Sequence, residues 1–383
     1  MMIERSLKRL ARFQFERPYS VAVLALIITL IAIIGISNLR LESDISKEIP
    51  QDIDVIKLQN LIRDELAGGN IIMVLVSLDP EKTTDYTETD IRNPWLIYFL
   101  KQITDLAKKE PEVTEINSLA DFFEQPLLPR ELIKQVIDKN PSAKNFVNSD
   151  YTMTLIFVKT YIGANPYELA KLAEAINEDI QTSLIPPGVS ISITGQPILI
   201  VKMLQLMVHD MSLITTVGLF IIFILMVIAF HSISRGLLTL IPVVMGVIWT
   251  LGILGLLNIP ITTITAGMGA MIIGVGIAYG VHLMNRVMEE RKRGKTLEEA
   301  IEIAVSDTGI AIISTAVTTM VGFGSLMLAT MPGIQRLGFT LAMGILACLI
   351  GAICVLPSFI CLEEKLMESI KDGNLLAKIR RSP

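Results

Sequence analysis

Residues 274–286 read "GVGIAYGVHLMNR". Glycines stand at 274, 276 and 280, and the only titratable groups before Arg286 are Tyr279 and His282. A phosphate cradle does not fit. The pattern G-x-G-x-x-x-G is one residue off the dinucleotide fingerprint, and no strand-to-helix turn precedes it. Downstream, "RGKT" at 293–296 offers Gly-Lys-Thr, but Glu289 stands where a P-loop needs its leading glycine. Helix packing does fit, because Gly276 and Gly280 form a small-xxx-small pair that lets two backbones approach in lipid. The run that holds them, 262–284, is itself long enough to cross a hydrocarbon core, which takes about 20 apolar residues.

Five further runs have that character: 20–39, 212–230, 236–257, 307–330 and 333–362. The composition agrees, with 51% hydrophobic and only 19% charged residues, against roughly 25% charged in soluble domains. A multi-pass membrane protein with six transmembrane helices is expected. The first run follows a basic segment, but "ISNLRLESD" has no A-x-A-like cleavage site, so a retained anchor is expected.

Lys and Arg set the orientation. Five precede the first run, one lies in "HSISRG", five fall between Asn285 and Val305, and five follow Leu362; the opposite short loops hold only Arg336. Both termini are therefore expected in the cytoplasm of a cell-membrane protein. The expected organisation is 1–39 as cytoplasmic N-terminus and first transmembrane helix, 40–210 as an extracytoplasmic domain, 211–362 as a five-helix bundle, and 363–383 as a cytoplasmic tail. The outer segment carries 26 acidic against 16 basic residues, which gives no reason to expect nucleic acid as a partner.

Within 40–210 the apolar period alternates. "IIMVLVSL" (71–78), "EVTEINS", "YTMTLIFVKT" (151–160) and "GVSISITG" read as strands. Asn93-Pro94 and Asn165-Pro166 open two helices, a capping side chain followed by Pro in the first turn. Leu96, Phe99, Leu100 and Ile103 line the first, and Glu168 completes a capping box on the second. A helical insert is expected near 130–138. The order β-α-β-β-α-β predicts a ferredoxin-like α+β domain. Between the fourth and fifth spans, Thr296 and Glu299 form a capping box before a short charged linker helix.

No nucleophile, metal or cofactor constellation is present. The three histidines, His209, His231 and His282, lie in three different segments, and the three cysteines all lie in the last span. An enzyme is not expected.

Four stretches together carry a family resemblance: "ESDISKEIPQDIDVIKLQNLIRDELAGG", "ITGQPILIVKMLQLMVHDM", "GVGIAYGVHLMNRVMEERKRGKTLEEA" and "STAVTTMVGFGSLMLATMPGIQRLGFTLAMGI". In this order the chain resembles one six-span half of a transporter of the resistance-nodulation-division (RND) superfamily, nearest its MMPL and hopanoid-exporter branch. The resemblance implies export of hydrophobic or lipid-like molecules through a groove in the outer domain, where Trp95, Tyr98, Phe122 and Phe123 are apolar candidates. It also implies a departure. Many proton-driven members have Asp where this chain has Ala278, and no Asp or Glu lies inside any of the six apolar cores. His282 is four residues on, on the same helix face and roughly 6 Å away along the axis, with a side chain suited to proton switching. Tyr279, Asn285, Thr318 and Thr319 complete a candidate polar cluster for coupling, while Gly274, Gly276 and Gly280 are candidates for helix packing. Two other functions stay open: a non-transporting lipid-binding or sensing protein on the same scaffold, and a translocation accessory like SecD/SecF. Full RND transporters hold two six-span repeats, so a homodimer, or a separate partner subunit, is expected.

Overall fold

The computed structural model describes residues 2–42, 48–58, 71–79, 90–125, 128–160, 166–183 and 185–371. It divides into two compact units, one of Met1–Pro50 with Leu206–Pro383 and one of Gln51–Gln205. The chain begins with α1 (Met2–Glu16), whose Leu7, Ala11 and Gln14 are buried while Arg5, Arg9 and Arg12 are exposed. Helix α2 (Pro18–Ile36) starts with proline in its first turn and is apolar all round, the mark of a helix whose outer surface meets lipid. Strand β1 is the pair Leu41–Glu42.

The second unit holds β2 (Ile71–Leu78), α3 (Pro94–Ala107), β3 (Val113–Asn117), α4 (Arg130–Lys139), β4 (Met153–Thr160), α5 (Pro166–Thr182) and β5 (Val189–Thr194). All three strand pairings are antiparallel, and the sheet order is β3-β4-β2-β5. In β2 the alternate residues Ile72, Val74 and Val76 are fully buried, as are Ile156 and Val158 of β4. Leu96, Phe99, Leu100 and Ile103 of α3 and Leu172, Ile176 and Ile180 of α5 close the same core. Asn93 caps α3, its side chain accepting from the Trp95 N–H at 2.9 Å. The Asn165 cap expected for α5 lies outside the described residues.

Helix α6 (Gln196–Phe230) starts in the second unit and runs 35 residues without a break, so the second span's helix begins well before its apolar run. The rest of the first unit is α7 (Ile233–Leu256), β6 (Ile261–Thr262), α8 (Met268–Lys292), α9 (Leu297–Ile303), α10 (Gly309–Gly324), α11 (Pro332–Ile350) and α12 (Leu356–Lys371). Strand β6 pairs in parallel with β1. Among the described residues, six helical segments are long and apolar enough to cross a membrane, so the protein is a multi-pass membrane protein. Helix α8 begins six residues later than the start of its apolar run. Thr262 and Thr265 hold a turn there, the Thr262 N–H donating to Thr265 Oγ1 at 2.8 Å, and such local bonds compete with a helix. Thr296 and Glu299 do form a capping box on α9.

Two π-helical turns interrupt the bundle, Ala304–Thr308 before α10 and Gly351–Val355 between α11 and α12. A π turn displaces carbonyls from their ordinary partners. At the second turn Gln14 of α1, fully buried, donates from Nε2 to the carbonyls of Ile353 (2.8 Å) and Cys354 (2.9 Å). Helices α2 and α7 meet along a seam of small residues. A Cβ added to Gly252 would come within 2.5 Å of the Ala32 Cα, and Trp249 Nε1 ties the seam by donating to Thr29 Oγ1 at 3.0 Å.

Candidate functional site

Helix α8 packs against α7 and α11 through its glycines. A Cβ at Gly276 would stand 2.5 Å from the Cys348 sulfur of α11, and one at Gly280 would stand 2.6 Å from the Thr239 carbonyl oxygen of α7. Gly274 has no atom within 4 Å of where its Cβ would be and is exposed. Tyr279 lies between Ala278 and Gly280 with its ring buried and, among the described residues, no partner within hydrogen-bond geometry of its hydroxyl. Thr319 of α10 stands beside it, yet its hydroxyl donates to the Thr315 carbonyl of its own helix at 2.8 Å. Thr318 is likewise satisfied by the Thr315 carbonyl. Ala278 is half-buried, while His282 and Asn285 are exposed on the bundle surface. Of the six polar-cluster positions, then, Tyr279 and Thr319 come together, and His282, Asn285 and Thr318 turn outward.

One to three turns further along α8 the charge begins. The Glu290 carboxylate is almost fully buried and is held by Arg286 (3.2 Å), Arg293 (2.8 Å) and Lys295 (3.7 Å). Arg286 also reaches Asp307 of the first π turn at 3.7 Å. Three cations around one buried carboxylate offset a desolvation cost of several kcal/mol per ion.

A second acid reaches the bundle without a sign in the sequence. Glu48 lies outside every apolar run, yet it is 3% exposed, and among the described residues neither carboxylate oxygen has a hydrogen-bond partner. It packs on Gly333, in the first turn of α11, where any side chain would collide with the carboxylate. Only the fold brings it there.

Elsewhere in the bundle, Val208, Met211, Ser212 and Thr215 of α6 face Val247 and Leu251 of α7 and Met268 and Ile272 of α8 across a groove of about 380 Å³. Gly269 keeps it open on one side, since a Cβ there would lie 2.7 Å from Thr215 Oγ1.

A cleft larger than this groove, about 530 Å³, belongs to the sheet unit. Helix α3 buries one face in the core and turns the other, with Trp95 (66% exposed) and Tyr98, into this cleft. Pro186, Pro187 and Val189 form the opposite wall. Trp95 and Tyr98 stack edge to face with centroids 6.4 Å apart. Phe122 and Phe123 lie elsewhere: Phe123 is buried in the core, and Phe122 packs against Phe146 at 5.6 Å. At the polar end Asp90 accepts from Arg92 Nη2 at 2.9 Å, and Arg92 lies 3.5 Å from the Tyr151 ring centre. Burial pushes the Asp90 carboxyl up, but the hydrogen bonds and charge of Arg92 outweigh it, so the group titrates below its ordinary value.

Comparison with known proteins fits this architecture. The MMPL family model matches residues 50–371. A membrane protein of Methanocaldococcus jannaschii is 36% identical over 372 residues, covering 95% of this chain and 96% of that protein. The siderophore exporter MmpL5 of Mycobacterium tuberculosis is 22% identical over 280 residues, which are 72% of this chain but 28% of the exporter. The protein translocase subunit SecD of Rhodothermus marinus is 30% identical over 146 residues, 37% of this chain and 23% of SecD. The chain belongs to the MMPL family of the RND superfamily, as a multi-pass membrane protein.

Proposed function

We propose that this protein is a membrane transporter that exports hydrophobic or lipid-like molecules, and that the cleft under Trp95 and Tyr98 receives the substrate. The observation that carries the reading is that cleft: a concave surface within the size range of ligand sites, floored by α3, with a large aromatic side chain left mostly exposed. An exposed apolar patch set in a concave surface is the kind that marks a ligand-binding groove. On this reading the sheet unit, with its βαββαβ order, is a ferredoxin-like extracytoplasmic domain, and both chain termini are cytoplasmic. The groove between α6, α7 and α8 is the entry from the outer leaflet. The siderophore exporter among the relatives supports a role in export.

With Ala278 where many proton-driven members carry Asp, transport does not run through an acid in the fourth span. Two copies, packed with their α8 helices near a twofold axis, supply the twelve spans of a full transporter. Ala278 also favours a second reading, a lipid-binding or sensing protein that does not transport.

Only Trp95 and Trp249 occur in the chain, so Trp249→Phe leaves Trp95 as sole reporter. Titrating that variant with a fluorescence-quenching amphiphile should quench Trp95 saturably. A response that only scales with amphiphile concentration, and is unchanged by Tyr98→Ala, would contradict the assignment of the cleft. Saturable quenching without movement of cargo across a liposome would favour the sensing reading.

A further inference from the structure

At the basic end of the bundle, where α7 begins and α8 ends, lies a cavity of about 610 Å³ that the transport reading does not use. Arg235, Arg291, Lys292 and Lys295 line it. Its floor is apolar and includes Met284 and Met288 of α8, a helix long enough to span the membrane. The lining sets two acids against these four cations, so a positive excess remains. Glu364 is taken by Arg291 at 2.6 Å, and Glu363 accepts from the Ser234 hydroxyl. Lys295 leans on the buried Glu290 at 3.7 Å. Among the described residues, Arg235 and Lys292 have no ion-pair partner, and both are exposed.

We infer that this cavity binds the headgroup of an anionic phospholipid, its phosphate between Arg235 and Lys292 and the first part of its acyl chain over the methionine floor. Charge complementarity selects the class of occupant, since guanidinium and ammonium donors bind phosphate oxygens with charge-assisted hydrogen bonds. The floor selects the source. A free phosphate ion would leave the Met284 and Met288 side wetted, whereas an amphiphile covers both halves at once. Methionine adapts to an irregular chain, and basic cavities between membrane helices are suited to anionic headgroups. The site stands at the end of α8 where the sequence turns from apolar to charged, so a lipid bound there would hold α7, α8 and α12 together.

The test uses the full chain in nanodiscs of phosphatidylcholine with added phosphatidylglycerol, followed by native mass spectrometry. The unaltered protein should retain phosphatidylglycerol in preference to phosphatidylcholine. Arg235→Gln with Lys292→Gln should weaken that retention more than about tenfold, at about 1 kcal/mol for each cation near the surface. Both residues are exposed, and circular dichroism checks that the double variant is folded. Arg5→Gln with Arg9→Gln removes two exposed cations on α1 and should leave retention unchanged. Equal retention by the first pair overturns the proposal, as does equal loss from the second pair, which would mean diffuse attraction to charge. Inorganic phosphate in excess should not displace the lipid; if it does, or if it binds alone in pure phosphatidylcholine discs, the lipid source is wrong.

Discussion

In the sheet unit, Ile72, Val74, Val76, Ile156 and Val158 are fully buried, and the residues between them along β2 and β4 are more open to solvent. In the spans the same residue types face outward: Val23, Leu24, Leu26 and Ile27 of α2, and Phe220, Ile221, Ile224 and Leu225 of α6, are all exposed. Inside, the bundle sets small or weakly polar groups such as Ala32, Gly276, Gly280 and Thr239 beside large ones such as Leu283, Leu341 and Ile345. One solvent explains both patterns. Water drives large apolar groups inward, whereas lipid is as apolar as leucine and leaves close packing of small groups to hold helices together. The bundle therefore carries leucines on both sides, Leu283 and Leu341 inside and Leu24 and Leu225 outside, whereas β2 and β4 turn Ile72, Val74, Val76, Ile156 and Val158 inward.

The contrast breaks most visibly at its extremes. Phe99→Ala removes a buried ring from the sheet unit and is expected to destabilise it by about 3–5 kcal/mol. Leu24→Ala, on an exposed face of α2, should cost less than about 1 kcal/mol when helix association is measured in lipid. Similar costs for the two would erase the distinction between the units.

A smaller effect is expected within one helix. Gly280→Ala drives a methyl into the Thr239 carbonyl and is expected to cost about 1–3 kcal/mol, read as a lower unfolding temperature in detergent. Gly274→Ala, with open space beside it, should be neutral. If the two substitutions behave alike, the packing role of the glycines does not depend on their facing a neighbour.

The smallest effect separates the units by pH. In the sheet unit the folded Asp90 carboxyl lies below its ordinary value. Unfolded, it titrates near 3.9. Its stabilisation is thus complete above that pH and is lost as pH falls through the lower folded value. Because the pair is partly solvated, less than about 1 kcal/mol is at stake. Asp90→Asn should flatten that part of the acid unfolding profile. An unchanged profile would remove Asp90 from the account.

How much of this was legible depended on whether a residue's role followed from its neighbours along the chain. The spans were, because hydropathy needs only contiguous residues, and so was the face of α3 that carries Leu96, Phe99, Leu100 and Ile103. Trp95 and Tyr98 could not be told from Phe122 and Phe123 by type; only the tertiary packing of α3 sends one pair to a cleft and the other to the core. The polar cluster on α8 was half legible. Helical spacing put Ala278 and His282 on one face, but which neighbour that face meets is set by packing, and His282 is exposed. Glu48 gave no signal, since its burial comes from the distant Gly333. The π turns were equally silent, and so was the role of Gln14, whose partners lie 339 and 340 residues away.

The central claim is that the aromatic cleft handles the cargo of a transporter without a fourth-span acid. Its most direct test is movement of a fluorescent amphiphile across liposomes that contain the purified protein, with and without Trp95→Ala and Tyr98→Ala together. Transport by the unaltered chain and its loss in the folded double variant are expected. Full transport by the double variant would contradict the account.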